Sequence, residues 1–441
     1  MASTYIGRTQ GTPTNSKKWT ISYWAKYNVT NGDWYPTFGC DYDIGDSYFG
    51  IGSGGLGRNE IGFLEYHTSA TNYGQGYSDF SLRDASAWYH IVFAYDSTQG
   101  TAADRGKTYI NGVQATNTYS TNIPQDHDSR FNMSGSAISI GRRMRGPQYM
   151  DGVLSHFHFV DGTAYDPTPF GETDSTTGEW KIKTDVTGVN YGNNGFFVLK
   201  DGNSLTDESP NTNNFTLGNG TLTKTEDNPS NVFAVCTKEP IRTVSGTQVQ
   251  PVLSNGRTTW DATGVQAGAS VTLSSLGAKT GKYYMEAKVG GSYAGHSRIG
   301  VGTFDGYNGT TFFNQTSSNY VAYTANGEKH IAGSTSSYGA SYSAGDIISV
   351  ALDCDNNTVT FYKNGASQGA VNITNDNNYK HFSLGGYDNA GNITNWICNF
   401  GNGYFGTTAV SSAGTNASGI GIFEYDVPTG YTALCTKGLN E

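Results

Sequence analysis

The chain has 441 residues, room for roughly two to four domains that each bury a core. Its 59 glycines, 30 tyrosines and 21 phenylalanines stand beside only 15% charged residues, which excludes a helical protein, and 13% aromatics exclude a disordered one. With 27 basic against 37 acidic residues the net charge is -10, which argues against nucleic acid as a partner.

The one basic cluster, Arg142, Arg143 and Arg145, sits in an acidic surround. The acidic excess is read as colloidal spacing. Cys40, Cys236, Cys354, Cys398 and Cys435 are odd in number, widely spaced and without a Cys-x-x-Cys, so buried thiols are expected in place of a zinc or redox motif. Residues 1–5 show no basic region leading into an apolar core, so a secretory signal is not expected. No apolar run approaches the ~20 residues that span a bilayer, and no membrane insertion is expected.

Residues 19–27 alternate, placing Trp19, Ile21, Tyr23 and Ala25 on an inward face. Short strands are predicted near 48–51 and 60–66 within a loop-rich stretch. Residues 88–96 form the organising strand. Tyr89, Ile91, Phe93 and Tyr95 share one face at period two, with His90, Val92 and Ala94 on the other. A strand of that kind belongs in a sheet packed on a second sheet. Residues 107–114 run into Asn111-Gly112, a hairpin signal because both residues tolerate positive φ. Alternating segments follow at 137–141 and 152–162, with Phe157 and Phe159 on one face.

These five segments, in this order, resemble a laminin-G-type domain of the concanavalin A-like lectin/glucanase superfamily. The resemblance covers residues 1–171 and implies a jelly-roll sandwich. From 172 to 247 Asp, Asn, Thr, Pro and Gly dominate, with apolar islands around Phe196, Phe197, Phe215 and Phe233. That texture predicts an irregular connector laying short strands along its neighbours, because the four phenylalanines need somewhere to pack.

The strand, loop, strand, Asn-Gly pattern recurs at 347–353 and 358–365. Together with the alternating 281–289 and Ile299–Gly302, it resembles a SPRY domain, a second concanavalin A-like sandwich expected over 248–405. The expected fold is therefore all-β, two jelly-roll sandwiches and a connector, with a tail at 406–441 packing on a sandwich. Residues 433–437 echo residues 234–238, which suggests equivalent strands closing neighbouring sheets. A laminin-G-like sandwich, such a connector and a SPRY sandwich in one chain resemble virion proteins of marine tailed bacteriophages, of the tail-fibre or appendage kind. That resemblance implies a virion location after synthesis in the host cytoplasm.

Retaining glucanases need two carboxyls about 5 Å apart. The nearest pattern, Glu424 with Asp426, lacks the second Glu because Thr429 stands there, and Pro428 interrupts the strand. Asp353 and Asp355 fit a solvated turn. No enzyme is expected. His156 and His158, with His90 as a third, could offer nitrogens to a metal, but outer-face histidines are more often solvated or hydrogen-bonded. Asp41, Asp43 and Asp46, or Asp126 and Asp128, could suit calcium, although acidic turns are commonplace. No cofactor is expected beyond that possible calcium.

Sugar or protein recognition needs exposed rings, planar amides and carboxylates on loops of a rigid frame. Asp305, Tyr307, Asn308 and Phe312 supply that mixture in one loop. Tyr338 and Tyr342, then Tyr387 and Asp388, supply it in others. In the first domain the candidates are Tyr73, Gln75, Tyr77 and the 142–149 turn with Arg143 and Tyr149. The expected function is host-surface glycan or receptor recognition by a homo-oligomeric appendage bound to other virion proteins, weak sites being reinforced by multivalency. The alternative is a decoration or tail-assembly protein that binds only other virion proteins.

Overall fold

The computed structural model describes residues 3–28, 35–42, 45–51, 60–67, 71–200, 202–237, 251–263, 270–291, 297–303, 320–386, 388–389 and 392–440. The chain divides into two compact units, Met1–Lys224 and Thr225–Glu441. Both are all-β sandwiches of two antiparallel sheets. Residues 172–224 therefore fold with the first unit and 225–237 with the second.

In the first unit an eight-stranded sheet runs, in spatial order, Asn117–Thr121, Thr71–Ser81, Glu60–His67, Gly45–Ile51, Tyr35–Tyr42, Ala137–Ile140, Tyr5–Thr9 and Thr216–Asn219. Opposite it lies a six-stranded sheet: Phe196–Val198, Gly152–Asp161, Lys18–Tyr27, Tyr89–Asp96, Gly106–Ile110 and Val113–Gln114. Period-two alternation drives the aromatic rings between the sheets. Trp19 is fully buried there, stacked 5.1 Å from Tyr95 and tilted 5.3 Å from Phe131.

The second face of Tyr89–Asp96 is covered as well. His90 and Val92 are fully buried, and Val160, Phe170, Val189, Tyr191 and Phe197 form a separate apolar cluster beyond the six-stranded sheet. The Trp180 indole N–H donates to His90 Nδ1 at 3.0 Å. Phe196, Phe197 and Phe215 find their packing in this unit, and Phe233 finds it in the second.

Asp161 fastens this cover. Its carboxylate is 2% exposed and accepts the backbone N–H of Thr14 (2.6 Å), Asn15 (3.1 Å) and Asn194 (3.0 Å) and the Asn132 amide (2.6 Å). Four donors from three distant segments satisfy a buried carboxyl group that has lost its water partners.

The second unit repeats the plan. Its larger sheet orders Val252–Ser254, Thr259–Asp261, Asn395–Asn399, Lys282–Gly291, Ile347–Asp353, Thr358–Lys363 and Ala366–Asn372, with Thr432–Ala433 pairing parallel to Lys282–Gly291. The smaller orders Ser270–Leu273, His381–Gly386, Arg298–Gly302, Tyr320–Thr324, Glu328–Ile331 and Ser334–Ser337. Met285, Ile299, Val350, Phe361 and Trp396 lie in the core between them. On the outer face of the larger sheet, Tyr284 and Ala351 are covered by Phe233, Ile420, Phe423, Val427 and Ala433.

The two echo segments meet here. Phe233 bridges Cys435, and Ala234 N–H donates to Leu434 O at 3.0 Å. The expectation of equivalent strands in neighbouring sheets is thus replaced by two segments paired side by side in one unit, which brings their apolar residues over one sheet face.

The Asn-Gly turns are built alike in both units. Asn111 and Gly112 have φ of 48° and 79°, and Asn364 and Gly365 have 48° and 80°. In each, the Asn side chain accepts the N–H of the partner strand's first or second residue, His90 or Ile347, at 2.8 Å. The Asn N–H returns a bond to that residue's carbonyl.

Glu286 does in the second unit what Asp161 does in the first. It is fully buried and accepts Glu424 N–H (2.8 Å), Tyr425 N–H (2.9 Å), the Tyr284 hydroxyl (3.2 Å) and the Asn399 amide (3.4 Å). Burial raises its carboxyl to about 7, against the pull of those donors.

Asp161→Ala strands three backbone donors and lowers the stability of the first unit by about 3 kcal/mol or more in chemical denaturation. Glu286 keeps its proton to about 7 when folded but only to about 4.5 when unfolded. Its contribution to stability is therefore full below pH 4.5 and declines as pH rises toward 7, by about 1.4 kcal/mol per unit. The stability difference between wild type and Glu286→Gln, measured by denaturation across that window, falls with rising pH; a flat difference contradicts the assignment.

Candidate functional site

The outer face of the eight-stranded sheet in the first unit carries the candidate site. Strand Thr71–Ser81 contains Tyr73, Gly74, Gln75, Gly76 and Tyr77. A Cβ on Gly74 would come within 2.9 Å of Phe63, and one on Gly76 within 2.5 Å of Tyr119, so the glycines face the core. Gln75 and Tyr77 consequently face outward and are half-exposed. Register places Gln75 opposite Leu64 and Leu64 opposite Tyr48, one row across three strands. Tyr77 lies opposite Gly62 and Thr118.

A tight hairpin over 141–150 closes one side of this face. Arg143 N–H donates to Gln148 O at 3.0 Å and Met150 N–H to Gly141 O at 2.8 Å. The hairpin rests directly on the sheet at Gly39, where a Cβ would stand 2.4 Å from Arg142 O; only glycine allows that approach. The Arg142 guanidinium lies 3.8 Å over the Tyr5 ring, and Tyr149 packs 6.5 Å from Tyr5. Arg143 pairs with Asp46 and lies 5.0 Å over the Tyr48 ring. Arg145 pairs with Asp41 at 2.7 Å.

Asp41 and Asp46 face each other across one hairpin, so the acidic pair considered for calcium is bound to two guanidiniums. Asp43 lies outside the described residues. At the end of the sheet Tyr73 stacks 4.5 Å over His127, whose Nε2 lies 3.0 Å from the buried Glu65. The result is a firm surface of ring, amide and paired charges, suited to the C–H faces and hydroxyls of a sugar or to a polar peptide.

The remaining candidates are distributed differently. Asp305, Tyr307, Asn308, Phe312 and Tyr387 lie outside the described residues, as does the side chain of Asp388, whose backbone pairs with Ile393. Tyr342 is 3% exposed; its hydroxyl is shared between the carbonyls of Ser297 and Tyr323, so its ring belongs to the core and presents no face to a ligand. Tyr338 is half-buried, edge-on to Tyr323 and Phe361, and its hydroxyl donates to Gly369 O.

The three histidines have other work. His90 Nε2 lies 2.9 Å from Ser22 Oγ while its Nδ1 accepts from Trp180, and burial lowers the imidazole to about 3. His158 Nδ1 meets the Tyr191 hydroxyl at 2.8 Å, and burial, then His156 and His90, pull it below the usual histidine range. His156 occupies a bulge with φ 49°. Among the described residues no group of three His, Cys, Asp or Glu gathers to hold a metal. Asp126 pairs with Lys17 at 3.5 Å, and Asp128 accepts the Ser16 hydroxyl at 2.5 Å.

The carboxylates weighed for catalysis hold turns. Glu424 accepts Ser411 N–H at 2.6 Å and Asp426 accepts Thr415 N–H at 2.7 Å. Asp353 accepts the N–H groups of Asp355 and Asn356 and pairs with Lys282 at 3.0 Å. Gln75, Tyr77 and Arg143 are legible in the sequence but Leu64 is not, and Tyr48, 1% exposed beneath Arg143, supports the face without presenting its ring. The Gly-x-Gly alternation at 74–76 was the signal that could have set the face and, through it, the row.

Comparison with known proteins agrees with this architecture. Residues 2–167 match the model of the concanavalin A-like lectin/glucanases superfamily, and residues 282–388 match the SPRY domain model. The chain therefore carries a laminin-G-like concanavalin A-type lectin domain and a SPRY domain, both binding-type folds. Among solved structures, the SPRY domain of human HERC1 is similar at 21% identity over 34% of this chain and 91% of that one, with a TM-score of 0.29. The native heptameric SAP-like pentraxin from Limulus polyphemus is similar at 16% identity over 37% and 72%, with a TM-score of 0.27. A human SPRY domain follows at 15% identity over 34% and 93%, with a TM-score of 0.26. No curated protein matches the chain.

Proposed function

We propose that this protein is a non-enzymatic virion appendage component, of the tail-fibre or surface-fibre kind, that recognises a host-surface glycan or receptor. Two binding-type domains in one chain support a recognition role. The observation that carries the reading is the half-exposed Gln75 and Tyr77 on one sheet face, with Leu64 opposite Gln75 and the Arg143–Asp46 pair two strands further across the same sheet. A ring and an amide held by strands bind with little ordering cost, and display in several copies on a particle would multiply a weak single site.

A second reading, a decoration or tail-assembly protein that binds only other virion proteins, is favoured by two edge strands of the second unit. Ser334–Ser337 is fully exposed and Ala366–Asn372 largely so, and neither carries a charge to repel another strand.

Purified protein is expected to bind host cells or their extracted surface polysaccharide saturably. Tyr77→Ala and Gln75→Ala each weaken that binding about tenfold or more, with the melting temperature kept. Binding unchanged in both variants, or no binding to cells while the protein still coats particles lacking it, overturns the attachment reading.

A further inference from the structure

All five cysteines are buried, Cys40 in the first unit and four in the second, and two of the four face one another. Cys236 and Cys398 are 1% and 0% exposed, and their Sγ atoms stand 3.9 Å apart in the core of the second unit. The other three thiols meet backbone or hydroxyl groups. Cys40 Sγ donates to Arg130 O at 3.0 Å, Cys354 Sγ to Ala278 O at 3.6 Å, and Cys435 Sγ accepts the Gly438 N–H at 3.3 Å.

Adjacent carbonyls of one turn, between Val252–Ser254 and Thr259–Asp261, hold the facing pair. Cys236 N–H donates to Arg257 O at 3.0 Å, and Cys398 N–H donates to the next carbonyl, Thr258 O, at 2.7 Å. Cys236 also bridges Ser274, and Cys398 lies within Asn395–Asn399 at the centre of the larger sheet. A disulfide has its sulfurs ~2.05 Å apart, so closure asks for under about 2 Å of sulfur movement, within reach of small side-chain rotations.

We propose that Cys236 and Cys398 form a disulfide when the protein folds or matures in an oxidising medium containing a small-molecule disulfide. One thiol, as thiolate, attacks glutathione disulfide, forming a mixed disulfide and releasing one reduced glutathione. The second cysteine, also deprotonated, displaces the other glutathione as thiol. The pair loses two electrons and two protons, and one glutathione disulfide becomes two glutathione thiols. Burial holds the Cys398 thiol well above its usual range, so the reaction belongs to folding or to transient opening and the closed core resists it.

The consequence is a covalent tie between the segment entering the second unit and its central strand, across 162 positions of sequence. A loop that long is where a cross-link most constrains the unfolded chain. The inference rests on sulfur geometry and is independent of the recognition reading.

The test is refolding of the full chain from denaturant in a glutathione disulfide/glutathione buffer, against refolding in excess dithiothreitol. Thiols are titrated in denaturant and peptides are mapped without reduction. The expected result is loss of two of the five thiols, one linked peptide pair joining Cys236 to Cys398, and a melting temperature raised by roughly 5–15 °C and reversed by dithiothreitol. Cys236→Ala keeps four thiols in both buffers and shows no such rise. Five thiols after oxidative refolding, or a linkage through Cys435 or Cys354, overturns the proposal.

Discussion

Both units depend on a buried carboxylate satisfied by neutral donors. Asp161 gathers four hydrogen bonds, three from backbone N–H groups, and Glu286 four, two from backbone N–H groups; neither forms an ion pair among the described residues. A buried carboxyl group without such partners would cost several kcal/mol, so each site forces distant segments to return to it. In the first unit the returning segments are residues 14–15 and Asn194; in the second they are residues 424–425. Their arrival fixes the cover over one outer sheet face in each unit. Glu65 acts similarly, accepting Ser129 Oγ at 3.0 Å and Arg130 N–H at 2.7 Å.

That arrangement bears on function. The carboxylates considered for hydrolysis are engaged in turns and clasps, and the histidines considered for a metal are hydrogen-bonded beneath the cover of the six-stranded sheet. In the first unit it is the opposite sheet that presents half-exposed polar and aromatic side chains. The 141–150 hairpin supports that face by placing Arg142 and Arg143 on tyrosine rings and against Asp46. Surfaces so held favour recognition over chemistry.

Much of the fold was legible in the sequence because strand alternation and Asn-Gly turns are local signals. Tyr89, Ile91, Phe93 and Tyr95 turned inward as their period required, and both Asn-Gly pairs adopt positive φ. What alternation does not record is cover. His90 and Tyr284 look outward by period, yet both are buried, because Trp180 reaches one and Phe423 the other from far along the chain. The Tyr342 misreading has the same origin, since a loop tyrosine resembles a ligand platform until its hydroxyl is found on two carbonyls. The Arg143–Asp46 pair, 97 positions apart, likewise needed the register of the sheet.

The proposed recognition role rests on the outer face of the eight-stranded sheet in the first unit. The most direct measurement is hydrogen–deuterium exchange of the full chain with and without saturating host-surface polysaccharide. Slowed exchange confined to Glu60–His67, Thr71–Ser81 and residues 141–150 is the expected result. Slowing at Ser334–Ser337 and Ala366–Asn372 instead, or no change anywhere, would contradict it.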